Sequence, residues 1–258
     1  MILSINQPAY LPWLGYFHRI AASDMHIVLD HVQFEKNSFV NRNKVRTPDG
    51  WCWLTVPVQT AGRFGRLAIN ELRIDNTVHW REKHWRTIEQ NYVRSPYFTE
   101  HATFFEQVYR REWECLADLC REVTGYLLAA FGIRTPLRYS SDLAVAGCKH
   151  ELVLNLCRAA GATTYLSGAL GRDYLDEHAF REAGIEVVYQ DYHHPTYEQG
   201  RGGGFEPGMA AVDLLFNCGP DSLAVLTTKT GQVRFTAQRP FGCFAQIEPV
   251  PFSGPVTS

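Results

Sequence analysis

Short apolar runs alternate with helical periodicities along most of the chain. Residues 2–6 form an apolar run typical of a central strand, residues 14–22 have the spacing of a helix, and residues 25–29 form a second apolar run. A strand, helix and strand in this order almost always make a right-handed unit with parallel strands. The loop after the first run carries Pro8 and Pro12, which stiffen it.

The middle of the chain has a different pattern. Residues 40–46 and 51–58 flank a Thr-Pro-Asp-Gly turn signal and predict a β-hairpin, and residues 67–74 predict a further strand. Aromatic and apolar residues then recur every four positions from Trp80 to Tyr92, in a helix that Asn76 and Thr77 are expected to cap. Residues 99–131 keep helical spacing and predict one long helix or a pair.

The second half returns to alternation. It predicts strands at 137–141, 163–166 and 185–189, and helices at 151–160, 173–183 and 209–217. The fold class is therefore α/β, with a mostly parallel sheet flanked by helices, a β-hairpin insertion and a helical segment in the middle. We expect one domain over residues 1–228, with 76–132 as a helical subregion, and a proline-rich, poorly ordered tail over 229–258.

Composition narrows the class of protein. Apolar residues make up 45% of the 258, and the formal net charge is -2, which argues against the basic footprint of a nucleic-acid-binding protein. No apolar run is long enough for membrane insertion, and the opening lacks the basic region of a signal peptide. The seven cysteines are scattered and never in C-x-x-C spacing, so we interpret most as small buried hydrophobes in a reducing cytoplasm.

Polar residues gather where predicted strands end. In a parallel sheet these ends share one edge, which is where open α/β folds bind ligands. We therefore predict substrate-binding roles for the following side chains and backbone positions: Asn6, Gln7, Tyr10, Trp13, Gln33, Asn41, Arg42, Asn43, Ser167, Gly168, Tyr174, Gln190, Tyr192, Tyr197 and Gln199. For Tyr10 and Trp13 the alternative is that they fill core space, and for residues 41–43 the alternative is an exposed hairpin strand.

Three residues are candidates for proton transfer. Asp30 and His31 could form an acid/base pair, or Asp30 could simply end its strand beside a solvated His31. His194 could serve as a general base, whereas a metal site shared with His193 is disfavoured because adjacent side chains of an extended segment point in opposite directions. His84 lies on the apolar face of its helix and is more typical of a core residue.

Several standard signatures are absent from the sequence. Ser167-Gly168 does not lie in a G-x-S-x-G elbow, although it could cradle a phosphate. The chain also has no P-loop and no G-x-G-x-x-G fingerprint.

Taken together, the motifs resemble the WbqC-like family from about residue 2 to 220. The matching segments are Asn6-Gln7-Pro8-x-Tyr10-Leu11-Pro12-Trp13-x-Gly15-Tyr16-Phe17, Ser23-Asp24, Leu29-Asp30-x-Val32-Gln33-Phe34, Asn41-Arg42-Asn43, Trp53-Leu54-x-Val56-Pro57-Val58, Tyr165-x-Ser167-Gly168, Tyr174-Leu175, Gln190-x-Tyr192-x-His194-Pro195-x-Tyr197-x-Gln199 and Asp213-Leu214-Leu215-Phe216-Asn217-x-Gly219. The resemblance implies a cytoplasmic protein of surface-glycan (O-antigen-like) or specialised-metabolite biosynthesis. It carries over no catalytic residue.

The leading hypothesis is a transferase that moves an acyl or aminoacyl group onto an amino sugar or related amine, with a small-molecule substrate and no obligatory cofactor. The opening also has a distant similarity to HIGH-type nucleotidyltransferases, and that alternative would require Mg²⁺ and a nucleoside triphosphate. Tyr10 and Trp13 stand where the histidines of that family would lie, which counts against its usual mechanism. A third reading is a non-catalytic substrate-binding protein. The sequence leaves the oligomeric state open.

Overall fold

The computed structural model describes residues 1–60, 62, 67–200 and 204–228. The strands are β1 (Ile2–Asn6), β2 (Met25–Val28), β3 (Arg42–Thr47), β4 (Gly50–Thr55), β5 (Leu137–Tyr139), β6 (Thr164–Ser167) and β7 (Glu186–Tyr189). The α-helices are α1 (Leu14–Ala21), α2 (Trp80–Tyr92), α3 (Phe98–Arg110), α4 (Leu116–Ala130), α5 (Lys149–Ala160), α6 (Glu177–Glu182), α7 (Ala211–Cys218) and α8 (Ser222–Leu226).

A five-stranded parallel sheet forms the centre of the fold, in the order β5-β2-β1-β6-β7. The predicted α/β class and the mostly parallel sheet are thus confirmed. β1 is the middle strand, and its interior residues are buried, as the continuous apolar run indicates. Its Ser4 lies between His26 of β2 and Leu166 of β6.

Helices cover both faces of the sheet. On one face, Leu14 and Phe17 of α1 belong to a large core that also takes in α2 to α4 and α7. On the other face, Leu3 and Ile5 of β1 pack with apolar side chains of α5 and α6. Successive strand residues point to opposite faces, so Ser4 and Asn6 face α1.

The predicted hairpin is confirmed as the antiparallel pair β3–β4, and both strands are shorter than predicted. Its inner face buries Val45 and Leu54 in the large core. Its outer face leaves Trp51 and Trp53 exposed beside the cations of β3.

Three sequence-based expectations need correction. Residues 67–74 form no regular strand, because the chain turns through a 3₁₀ helix, Ile69–Glu71, and pairs only through isolated bridges. The region predicted as one helix over 173–183 is a 3₁₀ helix, Ala169–Asp173, followed by α6, whose start is capped by the Asp176 carboxylate. Helix α2 starts at Trp80 and not after Asn76, whose amide instead donates to the Trp113 carbonyl.

The periodicity over 99–131 proves to be a pair, α3 and α4. Six cysteines lie in the described residues and all are free, with Cys120 and Cys157 buried and Cys148 exposed. Among the same residues, no helix is both long and apolar enough to cross a membrane. The predicted tail, 229–258, lies outside the described residues, and the proposed domain limits stay a prediction.

Candidate functional site

The strand order reverses between β1 and β6. The chain adds β2 and β5 on one side of β1, then crosses to add β6 and β7 on the other. Such a switch point opens a crevice at the carboxyl ends of the strands, which is the usual ligand site of open α/β sheets. Continuing the pairing Ser4 with Leu166 by two residues brings Asn6 beside Gly168 at this crevice. The Asn6 Nδ2 is buried there without a hydrogen-bond partner among the described residues.

At the end of β2, Asp30 is buried and its carboxylate is fully engaged. Its Oδ1 accepts from Ser140 Oγ at 3.0 Å and from Ser141 N at 2.9 Å, and its Oδ2 accepts from Ser141 Oγ at 2.7 Å. The pairing of Val28 with Tyr139 places β5 next to β2, so the serines that follow β5 reach this carboxylate.

His31 joins the same network through Ser140. The distance from His31 Nδ1 to Ser140 Oγ is 2.6 Å. Because the Ser140 hydroxyl donates its hydrogen bond to Asp30, its oxygen accepts a hydrogen bond from the Nδ1–H of His31, an assignment that follows from the hydrogen-bond network. The imidazole Nε2 is then left as the acceptor. The arrangement orients a histidine that can take up a proton and share the resulting charge with a carboxylate.

At the end of β6, Ser167 is buried and Gly168 lies under the guanidinium of Arg19. An ideal Cβ on residue 168 would lie only 2.7 Å from Arg19 Nη1. Arg19 comes from α1, whose side chains lean toward the helix N-terminus and hence toward the carboxyl edge of the sheet. Tyr174, which follows in the chain, is 46% exposed.

The segment after β7 packs against the first half of α1. Gln190 Nε2 donates to the Gly15 carbonyl and to His18 Nδ1, both at 2.9 Å. The Tyr192 ring packs on His18 and so close to Gly15 that a Cβ there would lie 3.0 Å from it. Burial, and then the charge of Arg19, lower the pKa of His18.

His194 is half-buried in a cluster of aromatic rings. Its Nδ1 donates to the Pro195 carbonyl at 2.9 Å, and its Nε2 is buried without a partner among the described residues. The rings of Tyr197 and Phe205 lie beside it, with centroids 6.2 and 5.6 Å from the imidazole, and contact each other at 5.4 Å. Burial lowers the pKa of His194, so the imidazole is neutral at pH 7.

Two predicted substrate-binding residues belong to a buried network around Asp213. Its Oδ2 accepts from Tyr197 Oη at 2.6 Å and from Gln199 Nε2 at 2.9 Å, and its Oδ1 accepts from Tyr92 Oη at 2.9 Å. Burial raises the pKa of Asp213, and these hydrogen bonds oppose the rise. The network ties the segment after β7 to α7 and α2.

Some residues of the first loop, which follows β1, lie in the core, and others are only half-buried. Tyr10 is fully buried, with its hydroxyl 2.8 Å from His84 Nδ1 and 2.5 Å from Tyr109 Oη, which favours the packing role considered for it. His84 is likewise a buried core residue. Trp13 is half-buried and packs on Tyr16 at the start of α1. Gln7 is half-buried directly after β1.

Two of the candidates around the hairpin bond to backbone carbonyls of neighbouring segments. Asn43 is fully buried and donates to the Leu11 carbonyl, and Asn41 donates to the Val56 carbonyl. Arg42 lies over the Trp53 ring and donates to a loop carbonyl. Gln33 is exposed. The amides of Asn41 and Asn43 serve the fold, and the contact of this group with substrate stays a prediction.

The structure therefore brings together the candidates on three adjoining strands: Asn6, Gln7, Asp30, His31, Ser167 and Gly168. Sequence reasoning missed two residues of this edge, Ser140 and Arg19. The signal for Ser140 was its position at the polar end of the strand predicted over 137–141, and the signal for Arg19 was a cation within an apolar helix. In the described residues, no group of three or more His, Cys, Asp or Glu side chains could hold a metal ion.

Comparison with known proteins gives two matches. The WbqC-like protein family matches residues 7–225. The uncharacterized protein Rv1507c of Mycobacterium tuberculosis is 40% identical over 222 residues, which cover 85% of this chain and 95% of that protein. No solved structure matches.

Proposed function

Because the chain belongs to the WbqC-like protein family and His31 is held at the carboxyl edge of its sheet, we propose that it transfers an acyl or aminoacyl group to an amine. The acceptor in this proposal is an amino sugar or a related amine of surface-glycan or specialised-metabolite biosynthesis in the cytoplasm. The observation that carries the proposal is the chain of hydrogen bonds from His31 through Ser140 to Asp30.

The proposed reaction uses groups of this chain. The amine nitrogen attacks the acyl carbonyl carbon, a C–N bond forms, and the bond from that carbon to the leaving group breaks. His31 Nε2 takes the proton that the amine loses and returns it to the leaving group, which balances the reaction. Asp30 stabilises the imidazolium through Ser140 while the proton is held.

Asn6 is the proposed donor to the oxyanion that forms on the acyl carbonyl. Its Nδ2 is buried and lacks a partner among the described residues, and β1 lies directly beside β2, which precedes His31. A donor already fixed in place stabilises developing charge without reorganisation. His31 is favoured over His194 as the base because the Nε2 of His194 is buried in a cluster of aromatic rings.

The test is a panel of acyl and aminoacyl thioesters against amino sugars, with the N-acylated product detected by mass spectrometry. We expect one pair of acyl donor and amine to give product with the wild type. His31→Ala should lower the turnover of that pair about 100-fold or more. His178→Ala is the matched control, since that imidazole is 73% exposed on α6. Unchanged turnover in His31→Ala contradicts the mechanism, and tight ligand binding without any turnover favours a substrate-binding protein.

The strand order favours one second candidate, nucleotidyl transfer. If the five parallel strands are numbered 1 to 5 in chain order, without the hairpin strands, their order in the sheet is 3-2-1-4-5. Doubly wound nucleotide-binding folds have this arrangement. This candidate predicts that a nucleoside triphosphate raises the melting temperature only with Mg²⁺. Acyl transfer predicts stabilisation by the acyl donor or the amine in the absence of Mg²⁺.

A further inference from the structure

Arg19 is a buried cation with no counter-charge among the described residues. The residue is 9% exposed, its Nε is buried with no hydrogen-bond partner, and no ion pair joins its guanidinium to any described residue. Arginine stays charged in proteins, and buried charges are normally paired because their desolvation is expensive. The described residues therefore supply no negative charge that balances this cation.

The side chains around Arg19 are neutral. Tyr16, Tyr165 and Tyr174 are its electrostatic neighbours, and burial raises the pKa of each. His18 and His26 are near as well, and burial followed by the charge of Arg19 lowers the pKa of both. None of these groups carries a negative charge at neutral pH.

The position of Arg19 matches a ligand site. Its guanidinium lies against Gly168 at the crevice between β1 and β6, where a Cβ on residue 168 would lie 2.7 Å from Nη1 and 3.0 Å from Nη2. Gly168 has φ -73°, a conformation open to any residue, so the requirement for glycine there comes from the arginine and not from the backbone.

We propose that Arg19 binds the anionic group of the substrate, a phosphate or a carboxylate, at the crevice between the carboxyl ends of β1 and β6. The planar fork of a guanidinium binds two oxygens of either group. The inference deepens the proposed function, and rests on it only for the identity of the ligand. Because β2 and β6 lie two strand spacings apart, roughly 10 Å, the substrate would carry its anionic group about that far from the atom that reacts at His31.

The experiment is a comparison of melting temperatures and of calorimetric affinities at pH 7 and constant ionic strength. Pyrophosphate and inorganic phosphate probe the phosphate arm, acetate probes the carboxylate arm, and chloride is the reference. The variants are Arg19→Met, which removes the charge at similar volume, and Gly168→Ala, which keeps the charge but displaces the guanidinium. Arg158→Gln, on the exposed side of α5, is the matched control.

We expect at least one anion to raise the melting temperature of the wild type and of Arg158→Gln above the chloride reference. The affinity should fall at least tenfold in Arg19→Met and in Gly168→Ala. Without an added anion, Arg19→Met should melt at the same temperature as the wild type or higher, because an unpaired buried charge has been removed.

Three results would overturn the inference. The first is that no anion raises the melting temperature of the wild type. The second is that Arg158→Gln loses as much anion affinity as Arg19→Met does. The third is that Arg19→Met without anion melts at a lower temperature than the wild type, which would show that Arg19 stabilises the fold. A protein that binds anions but transfers no acyl group would retain this inference and lose the proposed function. A protein that transfers the group but shows no anion effect would lose only the inference.

Discussion

The carboxylate of Asp213 fixes the segment after β7, and Tyr92 is its most informative partner. The Tyr92 hydroxyl donates to Asp213 Oδ1 at 2.9 Å and accepts from the Arg46 backbone N–H at 2.9 Å. The change Tyr92→Phe removes one oxygen atom and leaves the ring in place. It therefore deletes two buried hydrogen bonds with little change in packing.

The magnitude follows from these two bonds. A hydrogen bond to a charged group contributes about 1.5–3 kcal/mol, and an orphaned buried donor costs about 1–3 kcal/mol. The central expectation is a loss of about 4 kcal/mol, which lowers the melting temperature of a chain of this size by about 8–16 °C. Tyr197→Phe deletes the bond to Asp213 without orphaning a backbone donor, and should cost about 2 kcal/mol.

The assay is urea unfolding of the three variants Tyr92→Phe, Tyr197→Phe and Tyr189→Phe. Tyr189 is the control, since its hydroxyl donates to the carboxylate of Glu177 in an exposed pair, and its loss should cost less than about 1 kcal/mol. The expected order of destabilisation is Tyr92, then Tyr197, then Tyr189. If Tyr92→Phe costs no more than Tyr189→Phe, the network around Asp213 does not stabilise the fold as argued.

Three other predictions concern acid stability, the base and the first loop. Burial lowers the pKa of His26 and His84 from 6.5 to about 3, so the unfolded chain binds their protons more tightly and stability falls as pH drops from 6.5 toward 3. In urea unfolding, the free energy of unfolding should be lower at pH 5 than at pH 7.5 by about 2 kcal/mol for each histidine. His84→Gln should remove the contribution of His84 to this difference, and a variant with the same pH dependence as the wild type would contradict the prediction. Ser140→Ala should lower kcat about tenfold or more at an unchanged KM for the amine, and a full kcat would mean that Ser140 does not orient the base. Asn43→Leu loses the bond to the Leu11 carbonyl and the bond from the Lys44 N–H, and should lower the free energy of unfolding by about 2 kcal/mol. Asn155→Ala, which loses an exposed bond to the Ala146 carbonyl, should cost less than about 1 kcal/mol, and equal costs would refute the role given to Asn43.

The sheet and its strand ends could be predicted from the sequence, because apolar runs and helical periodicities alternate clearly there. That pattern put Asn6, Asp30 and Gly168 at one edge, and the parallel sheet places them so. The region 67–74 could not be predicted in the same way. Its buried residues serve a 3₁₀ turn and isolated bridges, where the surrounding loops and α4, and not a neighbouring strand, bury them.

The site depends on contacts between distant parts of the chain. Ser140 meets Asp30 across 110 positions, because β5 pairs with β2 after the hairpin and three helices have intervened. The buried state of Tyr10 likewise depends on α2 and α3, which supply His84 and Tyr109 as partners. Strand order and helix packing decide these pairings, and a single sequence carries no direct signal for either.

The central claim is that the carboxyl ends of β1, β2 and β6 bind the substrate. Amide hydrogen exchange in the presence of the amine acceptor, taken from the pair that the panel turns over, tests it most directly. We expect added protection in peptides covering residues 6–8, 29–33, 139–142 and 167–174, with little change in the β3–β4 hairpin. Protection confined to that hairpin, or to the segment around His194, would contradict it.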